Sequence, residues 1–229
     1  MTGRGIRATL FDLDGTLVDS REDIAASVNF VRASVGLPAL SVDVVTGMIG
    51  LGIRTLLERA LSEDGGISID EAILRFRSHY RDHCLVKTHL YPGVLETIES
   101  LESCVRAVVT NKPIEFSMKI LSGLGLGGRF GAIIGGDSTP EKKPHPLPVI
   151  RAIEALGAAP AEAILVGDSE VDVEAGRRAG VRTCAVSYGY GSREEIAGAR
   201  PDHVIARLPD LIGLLSGEPA GRTGGAARD

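Results

Sequence analysis

Two aspartates set two residues apart, Asp12 and Asp14, are the first sign of chemistry in this chain. They stand in Phe11-Asp12-Leu13-Asp14-Gly15-Thr16-Leu17-Val18-Asp19-Ser20, directly after the apolar run from Ile6 to Leu10. On a continuing strand, residues i and i+2 face the same way, about 6–7 Å apart. Unpaired carboxylates so close repel one another and want a cation. A hard divalent cation with oxygen ligands answers that need. Other polar residues close other apolar runs: Thr110 and Asn111 follow Val105 to Val109, and Asp168 follows Ala163 to Val166. The segment Glu141 to Pro146, which carries Lys143, follows Ala132 to Ile134 at the start of a helix. Carboxylates, a hydroxyl, a lysine and a helix N-terminus suit a phosphate ester bound with Mg2+. The metal would satisfy the carboxylates, while hydroxyl, ammonium and backbone N–H groups would take the phosphate oxygens.

The elements that must position these residues alternate between strand and helix. Strands are expected at Ile6 to Leu10, Val105 to Val109, Ala132 to Ile134, Ala163 to Val166, Val181 to Val186 and His203 to Ile205. Helical spacing lies between them, at Val94 to Leu101, Ile114 to Leu121, Pro146 to Leu156 and Val171 to Ala179, with Leu208 to Leu215 at the close. Such alternation implies a parallel sheet with right-handed crossovers, an α/β doubly wound core. Ligands bind such sheets at the carboxyl ends of the strands, where the polar residues collect. One spacing breaks the rhythm. From Asp12 to Thr110 is 98 residues, against roughly 30 for an ordinary crossover. The excess reads as helices only, near Ile24 to Val35, Ile53 to Leu61 and Ile69 to Cys84. The expected organisation is a catalytic core of residues 1–19 and 87–216, a helical cap of residues 20–86 inserted after the first strand, and a disordered tail at 217–229. Asp19 and Ser20 are expected to cap the first inserted helix, with Asp23 in its first turn.

Composition narrows the function classes. The chain has 229 residues, 44% of them hydrophobic, enough to bury a sizeable core. Its net charge of -5, with both signs interspersed, argues against a nucleic-acid partner. No apolar run reaches the ~18 residues of a membrane span. Three scattered cysteines, Cys84, Cys104 and Cys184, form no metal spacing and suit a reducing cytoplasm. The pattern favours neither a monomer nor a dimer.

Four stretches carry a resemblance. Asp-Leu-Asp-Gly-Thr-Leu-Val-Asp-Ser from Asp12, Val-Val-Thr-Asn-Lys from Val108, Lys-Pro-His-Pro from Lys143 and Val-Gly-Asp-Ser-Glu-Val-Asp-Val from Val166, in that order, resemble the motifs of the haloacid dehalogenase superfamily. Leu90-Tyr91-Pro92-Gly93-Val94, Gly135-Gly136-Asp137-Ser138 and Tyr188-Gly189-Tyr190-Gly191 are similar to the wording of its phosphoglycolate phosphatase group. The resemblance implies a Mg2+-dependent hydrolase of a small phosphorylated metabolite, most readily 2-phosphoglycolate. It implies Asp12 as nucleophile, Asp14 as acid and base, and Thr110 with the Asn111 backbone as phosphoryl ligands. Lys143 would neutralise charge. Asp168 would ligate the metal with Asp12 and the Asp14 carbonyl, and Asp172 would orient the metal's water or the lysine. Substrate choice would lie in the cap, where Arg54 follows the glycine-rich loop Gly47 to Gly52. It is a candidate for a substrate carboxylate, weighed against a plain surface arginine. His145 reads as a helix-start residue, and His79, His83 and His89 as residues of solvated faces. The rival readings are another sugar-phosphate phosphatase, a pyrophosphatase, a sugar-phosphate mutase and, from a different class, a phospho-accepting receiver-like module.

Overall fold

The computed structural model describes residues 5–61, 66–101 and 103–216. The expected tail at 217–229 therefore lies outside the described residues. Its sheet is six-stranded and parallel, in the order β5-β4-β1-β6-β7-β8. The strands are β1 (Ala8–Phe11), β4 (Val105–Val109), β5 (Ala132–Ile134), β6 (Ala163–Gly167), β7 (Arg182–Val186) and β8 (His203–Ile205). β1 is central, and the chain runs from it outward to one side and then, from β6, to the other. The strand ends beside β1 thus form the switch point where an open sheet leaves a crevice.

Every residue of β1 is fully buried. Alternation along the strands divides them between two cores. Leu10, Val109 and Leu165 face one side, where α7 (Leu147–Ala155) and α8 (Glu170–Ala179) supply Val149, Ile153 and Ala175. Phe11, Val108 and Val166 face the other, with α5 (Val94–Ser100) and α6 (Ile114–Gly123) supplying Ile98, Phe116 and Ile120. Full burial of each such side chain contributes about 1.5–3 kcal/mol. The second core continues without a break into the inserted helices through Leu57, Phe76 and Tyr80.

The insertion holds α1 (Arg21–Ala33), α2 (Val42–Thr46), α3 (Ile53–Ala60) and α4 (Ile69–His83). α1 packs on α2, α3 and α4. α2 was too short for the periodic reading to reveal. So were β2 (Val18–Asp19) and β3 (His89–Leu90), whose antiparallel pairing ties the two connections to the insertion together. One expectation at this junction changes, and another gains a second role. Ser20 stands at the N-cap of α1, but its hydroxyl makes no cap bond; it donates instead to Asp14 Oδ1 at 2.5 Å. Asp23 does lie in the first turn, yet its carboxylate accepts from the Lys87 and Thr88 N–H groups and the Thr88 hydroxyl, all within 3.0 Å. It pins the outgoing connection to the returning one.

The remaining helices are α9 (Arg193–Ala199) and α10 (Asp210–Ser216). α9 was missed, although Ser192 and Glu195 cap it reciprocally, a spacing that can be read directly from sequence.

Candidate active site

The strand ends converge as the sequence implied. Asp12 follows β1, Thr110 follows β4 and Asp168 follows β6. Asp172 reaches the same point from the first turn of α8, and Lys143 from the loop before α7. Lys143 Nζ lies 2.6 Å from Asp172 Oδ1 and 3.0 Å from Asp12 Oδ1. Burial works against its charge, but Asp12 and Asp172 outweigh that and hold the ammonium above the usual lysine range. Burial pushes the Asp12 carboxyl up to about 6; Lys143 opposes the rise and Asp172 adds to it. Asp168 is driven well above the carboxylate range by burial, then by Asp172 and Asp12.

Asp12, Asp168 and Asp172 each bring a ligand oxygen within 4.8 Å of the others. Lys143 offsets one of those charges. Asp12 Oδ1 meets Lys143 at ion-pair distance yet has no directed hydrogen bond, so a buried acceptor is left open. The donor set fits a divalent cation with oxygen ligands.

Glycine makes this crowding possible. Gly15 has φ +83°, and a Cβ there would lie 2.1 Å from Asp168 Oδ2. A Cβ on Gly189 would lie 2.2 Å from Asp168 Cβ. The Gly189 to Gly191 stretch is thus a wall against Asp168. Tyr190, between them, donates its N–H to Asp168 Oδ2 at 2.6 Å, and its hydroxyl accepts from the Ser20 N–H at 2.8 Å. Tyr190 stands in the Tyr188-Gly189-Tyr190-Gly191 wording, but nothing in the sequence signals this role, because its contacts are all distant in sequence.

The Asp14 side chain turns to a different neighbour. It takes Lys112 Nζ at 2.9 and 3.0 Å, besides the Ser20 hydroxyl. Lys112 is another residue whose role sequence reading missed, although it closes the Thr110-Asn111-Lys112 wording. Asn111 holds the lysine loop. Its amide accepts from Lys143 N at 2.9 Å, and donates to Lys143 O at 2.9 Å and to Gly50 O of the insertion at 2.8 Å. That side chain is therefore committed to structural bonds. Thr110 is buried, and its hydroxyl accepts the Lys112 N–H.

A cavity of about 460 Å³ lies above these residues. Asp12, Asp14, Thr110, Lys112 and Asp168 line it from the core, and Ile49, Leu56, Phe76 and Tyr80 from the insertion. Arg54 does not join them. It is half-exposed and pairs with Asp70 at 2.5 Å on the outside of α3 and α4, so the surface reading of this arginine prevails. The α3 face bearing Leu56, Leu57 and Ala60 turns inward and leaves Arg54 outside. Arg59, from the last turn of α3, does line the cavity. Among the histidines, His145 accepts the Leu147 N–H at the start of α7, as a helix-start residue does. His79 is not simply solvated: it stacks between Phe30 and His83 and meets Ser27 Oγ at 2.9 Å.

A doubly wound sheet with a carboxylate cluster, a buried lysine and a hydroxyl at its switch point defines a hydrolase of the α/β class with an inserted helical unit. The chain belongs to the haloacid dehalogenase-like hydrolases, whose family model matches residues 9–186. It is 42% identical over 212 residues to a phosphoglycolate phosphatase of Aquifex aeolicus, covering 92% of this chain and 97% of that one. It is 41% identical over 215 residues to phosphoglycolate phosphatase 1 of Pseudomonas aeruginosa, covering 90% and 78%. A crystal structure described as a predicted phosphoglycolate phosphatase from Haemophilus somnus 129PT superposes with a TM-score of 0.85 at 34% identity, over 91% of this chain and 97% of that one. The chain is a phosphatase of this family, and the receiver-like reading falls away.

Proposed function

We propose that the protein is a Mg2+-dependent phosphatase acting on 2-phosphoglycolate, with Asp12 as nucleophile. The observation that carries this reading is Asp12 Oδ1: a buried carboxylate oxygen left without a directed partner, 3.0 Å from the Lys143 ammonium. Relatives named as phosphoglycolate phosphatases support the substrate.

Asp12 and Asp168 would hold the cation together with the Asp14 carbonyl, with Asp172 behind them fixing Lys143. The bound metal would neutralise charge on the phosphoryl oxygens. Lys143 and the Thr110 hydroxyl would share that load as charge develops. An Asp12 oxygen attacks phosphorus, the ester P–O bond breaks, and the leaving alkoxide takes a proton from the Asp14 carboxyl. A water then attacks the aspartyl-phosphate and gives its proton to Asp14; the bond to Asp12 breaks and inorganic phosphate leaves. Asp14 suits the second role because its side chain lies outside the Asp12–Asp168–Asp172 cluster. The insertion acts as a cap that excludes bulk water from the intermediate, clipped to the core at Asn111–Gly50. The buried, unbridged Cys84, Cys104 and Cys184 fit a cytoplasmic setting. Among the described residues, no helix is long and apolar enough to cross a membrane.

Purified protein with 2-phosphoglycolate and Mg2+ should release phosphate over many turnovers, and Asp12→Asn should not. Release no faster than in that variant would remove the substrate assignment.

A further inference from the structure

Asp14 and the cavity define where the rest of the substrate must go. The ester oxygen has to meet the Asp14 carboxyl to receive its proton. In 2-phosphoglycolate the carboxylate carbon is only two bonds beyond that oxygen. A group that contacts Asp14 from the cavity side is therefore within reach of the substrate carboxylate.

Lys112 is that group. Its Nζ lies 2.9 Å from Asp14 Oδ1 and 4.8 Å from the centroid of the Tyr80 ring, and it lines the cavity. Its side chain is only 6% exposed, and Asp14 is the one carboxylate with which it is paired among the described residues. Tyr80, beneath it, is buried in the cavity wall, and its hydroxyl has no hydrogen-bond partner among the described residues. Phe76 stacks on the Tyr80 ring and Phe116 meets it edge-on. The ammonium thus stands on an aromatic platform and is itself largely shielded from solvent, a setting in which an anion is held more strongly than in water.

We propose that Lys112 is the specificity-determining residue for a carboxylate next to the phosphoester. The assignment deepens the proposed substrate reading and rests on it. It also moves the recognising cation from the inserted helices to the end of β4, one residue beyond Asn111. Substrate entry exchanges the Lys112–Asp14 contact for a Lys112–carboxylate contact and leaves Asp14 facing the ester oxygen.

The experiment compares 2-phosphoglycolate with ethyl phosphate, which keeps the ester and the two-carbon chain but lacks the carboxylate. The readout is the ratio of the two kcat/KM values, so any loss shared by both substrates cancels. Lys112→Gln should lower the ratio by about 100-fold, the scale of a lost charged hydrogen bond. Lys112→Arg should restore most of it, and Arg59→Gln should leave it within about threefold of wild type. An unchanged ratio in Lys112→Gln, with both substrates falling together, would overturn the proposal and leave Lys112 as a partner of Asp14 alone. A collapse in Arg59→Gln instead would move the role to the insertion. If Lys112→Gln turns over neither substrate, calorimetric affinities for 3-phosphonopropionate and propylphosphonate, with Mg2+, provide the same ratio without turnover. Wild-type protein inactive on 2-phosphoglycolate would defeat the substrate reading; wild-type preference for 3-phosphonopropionate would still decide whether a carboxylate is read.

Discussion

Asp12 and Asp14 each face a lysine. Asp12 meets Lys143 at 3.0 Å, and Asp14 meets Lys112 at 2.9 Å. The surroundings of the two pairs differ. Lys143 has a second carboxylate, Asp172, at 2.6 Å, and Asn111 grips its backbone at both the N–H and the carbonyl. Lys112 has one carboxylate, an aromatic face below and open cavity beside it. Burying an ammonium is costly unless its partners are well placed. Two partners and a clamped backbone make Lys143 a fixed charge. Lys112 has one partner and a neighbouring void, so it can change partners. Fixed charge serves a centre that is the same for every phosphate ester, and a redeployable charge serves the part of the substrate that varies.

The strongest test of this contrast is to remove each lysine in turn. Lys143→Ala should lower kcat by about 10³-fold or more, the scale of losing a positioned donor or cation at a phosphoryl group. Lys112→Gln should act mainly through KM for 2-phosphoglycolate, because it removes binding rather than charge stabilisation. Steady-state kinetics on both variants decides the matter; equal losses of kcat would erase the distinction.

Metal and pH give a smaller effect that separates the two sides differently. The Asp12 carboxyl is raised from 3.8 to about 6 in the fold, and burial also pushes Asp168 well above its ordinary value. The folded state therefore binds protons that the unfolded chain has already released. In metal-free protein, this contribution to stability falls as pH climbs from about 4 through 6. Asp19, Glu115 and Asp202 are shifted downward and act in the opposite sense, but they are common to wild type and variants. Asp168→Asn should thus gain in Tm relative to wild type between pH 4 and pH 7 in chelator. Mg2+ should raise the wild-type Tm more at pH 7 than at pH 4.5. That shift should vanish in Asp168→Asn and persist in Asp14→Asn, which keeps its backbone carbonyl. Thermal melts across pH would expose a failure directly: a Mg2+ shift lost in Asp14→Asn but kept in Asp168→Asn.

The fixed side was legible in the sequence and the adaptable side was not. β1, β4 and β6 are short apolar runs that end in Asp12, Thr110 and Asp168, and a buried parallel strand with a polar end leaves a mark that reading along the chain can find. Lys143 was found because it follows the apolar run of β5 and because of its Lys-Pro setting. Lys112 and Tyr190 do their work across 98 and 22 residues, through contacts that no local period encodes. The β2–β3 ribbon pairs two residues with two, too few for alternation to register. In the insertion, the amphipathic pattern of α3 was read correctly, but pattern alone did not say which flank of its apolar stripe would overlook the cavity. Arg59 took that place and Arg54 did not.

Arg54 is accordingly the smallest expected effect and the sharpest check on where recognition lies. Its guanidinium and the Asp70 carboxylate are 51% and 76% exposed, and pairs so hydrated contribute about 0–1 kcal/mol. Arg54→Ala should leave kcat/KM for 2-phosphoglycolate within about threefold of wild type and move Tm by no more than a degree or two. A tenfold loss of kcat/KM with Tm unchanged would mean that the insertion, once substrate is bound, turns the outer side of α3 toward the cavity. Carboxylate recognition would then be shared between the two units, and Lys112 would no longer suffice to explain it. A loss confined to Tm would place Arg54 in the packing of α3 on α4, and recognition would stay with the core lysine.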